Sequence, residues 1–366
     1  MNKLIYSFFA GVLALGAISC SSDNDSPDGP SPVVPESYGV FVVNAGNMYG
    51  NIDGSLGYYE FGTGQYFEDV FKGANDGMKV GDIFNSGYIL DDYIYLAVTN
   101  SAVLHVINRE DFKLVKSIET RSEAGPRHIT SYNGKIYMTL FGMPGYVAEV
   151  DPATLEITRE VEVGPLPEEI KVCNDKLYVA VSDGYSDGSQ ASVTVIDPAT
   201  FKVTATITGI VNPVNVVTNG SNVYVCSWGQ YQNEYPYEQY NYGVYEVKGD
   251  VLSEKLFDAT NITIGGNVIY YFNAPYGKAE ITYGAYDTAT TTNVQWITSA
   301  EGVELPISLA ADPSTGDVFI LSYHLGEGGY GSYNTPGYVK QYHADGSVVR
   351  MFDAGISPTS LFFNAK

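Results

Sequence analysis

Short apolar runs broken by polar turns fill the chain from Val40 to its end, and the runs share one mark. Each pairs an aliphatic residue with an aromatic one: Val40-Phe41, Ile94-Tyr95, Ile136-Tyr137, Leu177-Tyr178, Val223-Tyr224, Ile269-Tyr270 and Val318-Phe319. From aromatic to aromatic the steps are 54, 42, 41, 46, 46 and 49 residues. The runs are rich in β-branched and aromatic residues and carry almost no stripe at helical spacing, so they predict strands, with helices essentially absent. A β-rich unit recurring at this period is the pattern of blades set around a ring.

Two further marks keep the same period. Downstream of each apolar pair lies a polar turn, as in Asp151-Pro152-Ala153-Thr154, Asp197-Pro198-Ala199-Thr200 and Asp287-Thr288-Ala289-Thr290. An Asp that bonds its own backbone, often followed by a Pro that presets φ, makes a hairpin between two strands. Upstream, Pro126, Pro167, Pro213, Pro306 and Pro358 introduce short apolar segments, and Gly81-Asp82-Ile83 and Thr260-Asn261-Ile262 hold the equivalent places without Pro. Seven sets of marks predict seven blades of four antiparallel strands, a seven-bladed β-propeller over residues 38–366. The first set begins in phase with a second strand, at Gly39-Val40-Phe41. Its missing innermost strand is therefore expected from Pro358 to Phe363, which closes the ring and hides the edges a linear array would expose.

The first 37 residues do not fit this pattern. Lys3 followed by the apolar stretch Leu4 to Ala17 is too short for a comfortable membrane span and reads as a targeting leader over residues 1–19. Ala17-Ile18-Ser19-Cys20 resembles a bacterial lipobox, which implies cleavage before Cys20 and its lipidation; an ordinary signal peptide with a chance Cys is the alternative. Ser21-Ser22-Asp23-Asn24-Asp25 resembles the surface-export signal of Bacteroidetes lipoproteins. Residues 20–37 as a whole, acidic and carrying Pro27, Pro30, Pro32 and Pro35, are expected to form a flexible tether. A formal net charge of −23 opposes any phosphate backbone, so nucleic acid is not an expected partner. Beyond Cys20 only Cys173 and Cys226 remain, both inside apolar strand segments, and buried free thiols are expected rather than a disulfide framework.

Strands alternate in direction within a blade, so the loops after the second strands emerge on the same face as the Pro-led loops, and the Asp-turn hairpins emerge on the other. The hairpins are short and uniform. The loops after the second strands are long, irregular and rich in Gly and Tyr, which is where function concentrates on a rigid scaffold. A tyrosine offers a large apolar body, few rotors and one polar tip. Candidate ligand-binding residues on that face are Tyr49, Asn100, Arg127, Phe141, Glu168, Tyr185, Trp228, Tyr231, Tyr235, Tyr276, His324 and Tyr330, with Asn47, Asn51, Gln190, Gln230 and Asn334 as further polar partners. Catalysis has little support. There is no Gly-x-Ser-x-Gly elbow, the four His are scattered without metal-ligand spacing, and Arg127 would oppose a cation at the channel mouth. No catalytic residue, metal or cofactor is expected, and a binding protein is the reading rather than an enzyme.

The turn Val195-Ile196-Asp197-Pro198-Ala199-Thr200, the aliphatic-aromatic strands and the Pro-led inner strands resemble the YncE-like, surface-layer-type propellers over nearly all of residues 38–366. Cys20 with its acidic Ser-Asp run, the start Tyr38-Gly39-Val40-Phe41-Val42-Val43-Asn44 and the insertion from Trp228 to Tyr242 resemble, more narrowly, the BtuG-type surface lipoproteins of the Bacteroidetes. That resemblance implies a lipid-anchored, surface-exposed outer-membrane protein. It would capture cobalamin or another corrinoid and pass it to a TonB-dependent transporter of the BtuB type. A corrinoid is a wide, largely apolar disc edged with amides, which aromatic loops and amide side chains suit. The alternatives are a glycan- or protein-binding propeller of another uptake or adhesion system, and a propeller enzyme built on a central ion.

Overall fold

The structure, a computed structural model of the chain, describes residues 36–185, 188–326 and 331–366. The leader, Cys20 and all but the last two residues of the tether lie outside the described residues, as does Tyr330.

Each apolar-aromatic run is the second strand of a four-stranded antiparallel sheet, and seven such sheets form a ring. The innermost strands of blades 2 to 7 are Phe84–Leu90, Ala124–Tyr132, Pro167–Cys173, Pro213–Thr218, Asn261–Gly265 and Leu305–Ala311. Blade 1 takes its innermost strand from the far end of the chain: Pro358–Ala365 pairs with Ser37–Asn44, with Phe41 opposite Phe362 and Val42 opposite Leu361. The closure expected from the phase of the first repeat is thus present. The packing completes it, since the innermost strand at Pro358–Ala365 contacts those of both blade 2 and blade 7.

The second strands read as unbroken apolar runs because a blade is covered on both faces. Successive side chains of a strand point to opposite faces. Phe41 and Val43 accordingly join Phe84, Ile94 and Leu96 between blades 1 and 2, and Val40 and Val42 join Phe319, Leu321 and Val339 between blades 7 and 1. The buried side chains fall into seven such clusters, one at every junction between blades. Cys173 and Cys226 are free thiols buried in two of them.

The Asp turns close as their chemistry dictates. The Oδ1 atoms of Asp151, Asp197 and Asp287 accept from the backbone N–H two residues on, at 2.8 to 2.9 Å. Among the described residues the α-helical content is one short helix, Val70–Ala74, in keeping with helices being essentially absent. Asp69 caps it by accepting from the Lys72 N–H, and its Phe71 is fully buried.

A half-buried ion pair within blade 3 reaches across to blade 4. Glu149, on the third strand of blade 3, accepts from Arg159 (3.1 Å from Nε), from the Thr158 hydroxyl (2.7 Å) and from Tyr137 (3.1 Å). Arg159 also donates to the carbonyls of Pro198 and Ala199 in the neighbouring turn and lies over the Phe201 ring. Burial raises the Glu149 pKa, but the bonds from Arg159, Thr158 and Tyr137 outweigh it and the net shift is downward. Glu149→Ala is expected to cost about 3 kcal/mol, the low end for breaking a buried pair, because Arg159 is partly exposed and can recover water. Because the folded pKa lies below the unfolded value of about 4.3, this contribution is present above that pH. It is lost as pH falls through the folded value. Guanidinium denaturation at neutral pH and near pH 3 measures both effects; a variant as stable as wild type at neutral pH would show the pair contributes nothing.

Candidate functional site

A β-bulge recurs in the innermost strands near the face where the long loops emerge: between Phe84 and Ser86, Pro126 and Ile129, Pro167 and Ile170, Pro213 and Asn215, and Pro306 and Ser308. Pro tolerates such places because the ladder bond it cannot make is already missing. The bulge frees residues from strict alternation and re-aims them toward the next blade. Arg127 and His128 in blade 3, and Glu168 and Glu169 in blade 4, stand there.

Arg127 makes a two-pronged pair with Glu168, Nε to Oε2 at 2.7 Å and Nη2 to Oε1 at 3.1 Å, and its guanidinium lies 4.3 Å from the centre of the Phe141 ring. Phe141 meets Tyr185 edge to face at 6.2 Å. Four sequence candidates therefore form one continuous group, and Arg127 is a tie between inner strands. Glu169 pairs with Lys171 at 2.7 Å and accepts from the Val216 N–H at 3.1 Å and the Asn215 amide at 3.3 Å. Burial raises the Glu169 pKa, but Lys171, His128 and these bonds bring it below the ordinary carboxylate value. Burial holds His128 below its usual pKa against the pull of Glu169 and Glu168. Carboxylates and cations at this mouth neutralise one another in pairs. Among the described residues no three His, Cys, Asp or Glu side chains converge so as to hold a metal ion.

A second group joins the loops of blades 5 and 6. The insertion from Trp228 to Tyr242 folds into a small hairpin, Gln230–Tyr231 paired with Gln239–Tyr240. Gln239 is buried beneath it. Its Nε2 donates to the Trp228 carbonyl at 2.6 Å, its Oε1 accepts from the Tyr276 N–H at 2.9 Å, and its own N–H reaches the Tyr276 carbonyl at 3.0 Å. Tyr231 is thereby held edge to face against Tyr276 at 6.2 Å. The Trp228 indole N–H donates to the Thr260 carbonyl at 2.8 Å, so this candidate ligand-binding residue ties blade 5 to the strand entry of blade 6.

Other candidates are spread more widely on the same face. Asn47 caps a short 3-10 turn and donates to Asn334 at 2.7 Å, linking the loops of blades 1 and 7; Asn51 ends that turn in the left-handed region. Asn100 reaches Met48 Sδ at 3.5 Å. His324 faces Glu304 at 3.0 Å. The Gln190 N–H donates to Asp183. Tyr49, 91% exposed, projects from its loop, and Tyr235, 77% exposed, meets only Tyr237 among ring partners, on its own loop. Gln239 is not singled out by the sequence, although the insertion carrying it and its neighbour Tyr240 is; a polar residue at alternate positions of a Tyr-rich hairpin is the available signal. Asn212, beside the Pro-led start of blade 5, gave none.

Among the described residues, every exposed aromatic side chain except Tyr38 sits in a loop following a second strand: Tyr49, Tyr185, Trp228, Tyr231, Tyr235, Tyr237, Tyr240, Tyr276 and Tyr333. Apart from Tyr38, the exposed aromatic side chains of the described residues lie on one face of the ring.

No family model and no curated protein matches the chain. Solved structures do. A functionally unknown protein from Desulfotomaculum acetoxidans is 13% identical with a TM-score of 0.61, over 89% of this chain and 99% of that one. The computationally designed Ika8 protein is 10% identical with a TM-score of 0.54, over 88% and 90%. A chain of Kuenenia stuttgartiensis hydrazine synthase is 12% identical with a TM-score of 0.50, over 81% and 96%. At these identities the likeness is one of fold.

The geometry around Gln239 carries a prediction. Gln239→Leu removes a buried donor and acceptor and leaves the Trp228 carbonyl and Tyr276 N–H without them, a penalty of about 1–3 kcal/mol. Because the bonds lie within two surface loops, the loss is expected as faster amide exchange in residues 228–242 and 274–281 with the global melt little changed. Unaltered exchange at Tyr276 would show that Gln239 does not hold the loops.

Proposed function

We propose that the protein is a surface-anchored capture module that binds a large amphipathic ligand on its tyrosine-lined face. The ligand is cobalamin or another corrinoid, handed on to an outer-membrane TonB-dependent transporter of the BtuB type. The observation that carries the binding reading is that, among the described residues, every exposed aromatic side chain except Tyr38 lies on one face of the ring. Exposed apolar surface gathered in one place marks an interaction site. Loops are joined in pairs beneath that surface by Asn47–Asn334 and Gln239–Tyr276, and the inner strands by Arg127–Glu168. A pre-ordered surface of this kind loses little entropy on binding. Support for the corrinoid comes from the resemblance to the BtuG-type lipoproteins at Cys20, at Tyr38 to Asn44 and in the Trp228 insertion. Support for binding over catalysis comes from the paired state of the charged groups at the channel mouth.

Calorimetric titration with cyanocobalamin, followed in parallel by visible absorption, tests the ligand. Saturable heat at micromolar or lower ligand is expected, and its absence would remove the corrinoid reading. Anchoring has its own test: Cys20→Ala is expected to shift the protein from the membrane to the soluble fraction while ligand affinity stays as in wild type. A Cys20→Ala protein still retained by the membrane would contradict the lipid anchor.

A further inference from the structure

The hairpin of the blade 5 insertion stands beside the long loop of blade 4, and between them runs a cleft of about 770 Å3. That volume lies in the usual range for small-molecule sites, about 300–1,000 Å3. Its walls include Tyr231, Tyr240, Gln230, Asn233, Glu234 and Asn212. Tyr240 is 40% exposed, and Tyr231, 42% exposed, packs one edge against Tyr276. No Lys, Arg or His is among the described residues that line it.

The lining excludes most ligand classes. An anion would find no cation to pair with, would meet Glu234, and would approach a chain of net charge −23. A wholly apolar molecule would strip water from four amide side chains, those of Asn212, Gln230, Gln232 and Asn233, and return no hydrogen bonds. A neutral polyhydroxylated molecule fits. Its hydroxyls both donate and accept, as do the amides of Gln230, Asn233 and Asn212, and Glu234 adds an acceptor. The apolar face of a sugar ring has Tyr240 to lie against, on the hairpin face it shares with Gln230. We infer that the cleft between the blade 4 and blade 5 loops binds a neutral oligosaccharide. The inference rests on the capture reading for the face of the ring it occupies, and names the ligand class of one part of that face.

The full-length protein is titrated by calorimetry with hexamers of xylose, mannose and glucose, with a galacturonate hexamer of the same length, and separately with cyanocobalamin. At least one neutral hexamer is expected to bind with a Kd below 1 mM, on the order of a modest protein–ligand affinity, and the galacturonate hexamer at least about tenfold more weakly, a difference of about 1.4 kcal/mol. Tyr240→Ala and Asn233→Ala are each expected to weaken the neutral chain about tenfold. Met351→Ala, on the outer strand of blade 7, is expected to leave it unchanged. Binding by a glycoprotein carrying the same chains is expected to be displaced by the free hexamer; failure of displacement would mean that protein rather than sugar is recognised, and would overturn the inference. So would no heat with any neutral hexamer, equal binding of the galacturonate chain, or full binding by Tyr240→Ala and Asn233→Ala. The cyanocobalamin arm reports on the corrinoid independently: heat with cyanocobalamin and none with the hexamers sinks the saccharide site alone, and the reverse sinks the corrinoid alone.

Discussion

A chain truncated before Pro358 is expected not to fold. The final strand completes blade 1, and its loss uncovers the whole edge of Ser37–Asn44, where Val40 to Val43 are fully buried in the intact ring. It also removes the stack of Phe362 on Phe41 at 4.7 Å, the contact of Phe363 with Phe319, and the bonds of Arg109 to Asn364 and Ala365 at 2.6 to 2.8 Å. Leu361, Phe362 and Phe363 are partly buried and each represent about 1–2 kcal/mol, below the value for full burial, and the ladder bonds about 1 kcal/mol apiece. The total, on the order of 10 kcal/mol, is as large as the whole net stability of a typical domain. Circular dichroism and size-exclusion chromatography are expected to give an aggregated chain without a cooperative melt, and a synthetic peptide of residues 358–366 added during refolding is expected to recover part of the native signal. A truncated chain that melts like wild type would mean the ring does not depend on this closure.

The closure was legible because it is a matter of phase. Seven marks in register leave one place empty at the start and one segment spare at the end, and only Pro358 to Phe363 can fill it. The alternation of Val40, Phe41, Val42 and Val43 between two junctions is likewise written in the sequence, since a strand covered on both faces must be apolar at every position. For Arg127, by contrast, the sequence shows a positive charge at the channel mouth and not its partner. Its partner Glu168 lies 41 residues on and meets it only because bulges in two adjacent blades aim both side chains into the same junction. The partner of Trp228 is hidden for the same reason: it is a backbone carbonyl at Thr260, and no side-chain pattern marks a carbonyl. The short helix at Val70–Ala74 was hidden by its length, a single capped turn being too brief to show helical spacing. Period and burial are local signals, whereas pairings across blades depend on the ring.

The placement of Trp228 changes which residues test the capture reading. A Trp228→Ala variant would lose the bond to Thr260 and disturb the entry to blade 6, mixing stability with binding. Tyr231 and Tyr276 are the cleaner pair. They touch edge to face across two loops, they are 42% and 49% exposed, and the backbone beneath them is held through Gln239. Aromatic anchors of this kind cost about 2 kcal/mol or more each when truncated in an interface. Tyr231→Ala with Tyr276→Ala is therefore expected to weaken cyanocobalamin binding by about 4 kcal/mol, roughly a thousandfold in Kd. Stability is expected to fall by no more than about 1 kcal/mol, because half-exposed rings outside the blade clusters contribute little to the fold. Calorimetry and a thermal melt on the same preparation separate the two effects. A double variant that keeps wild-type affinity would remove this face of blades 5 and 6 from the binding surface, and one that loses its cooperative melt would make the tyrosines supports of the ring rather than contacts for a ligand.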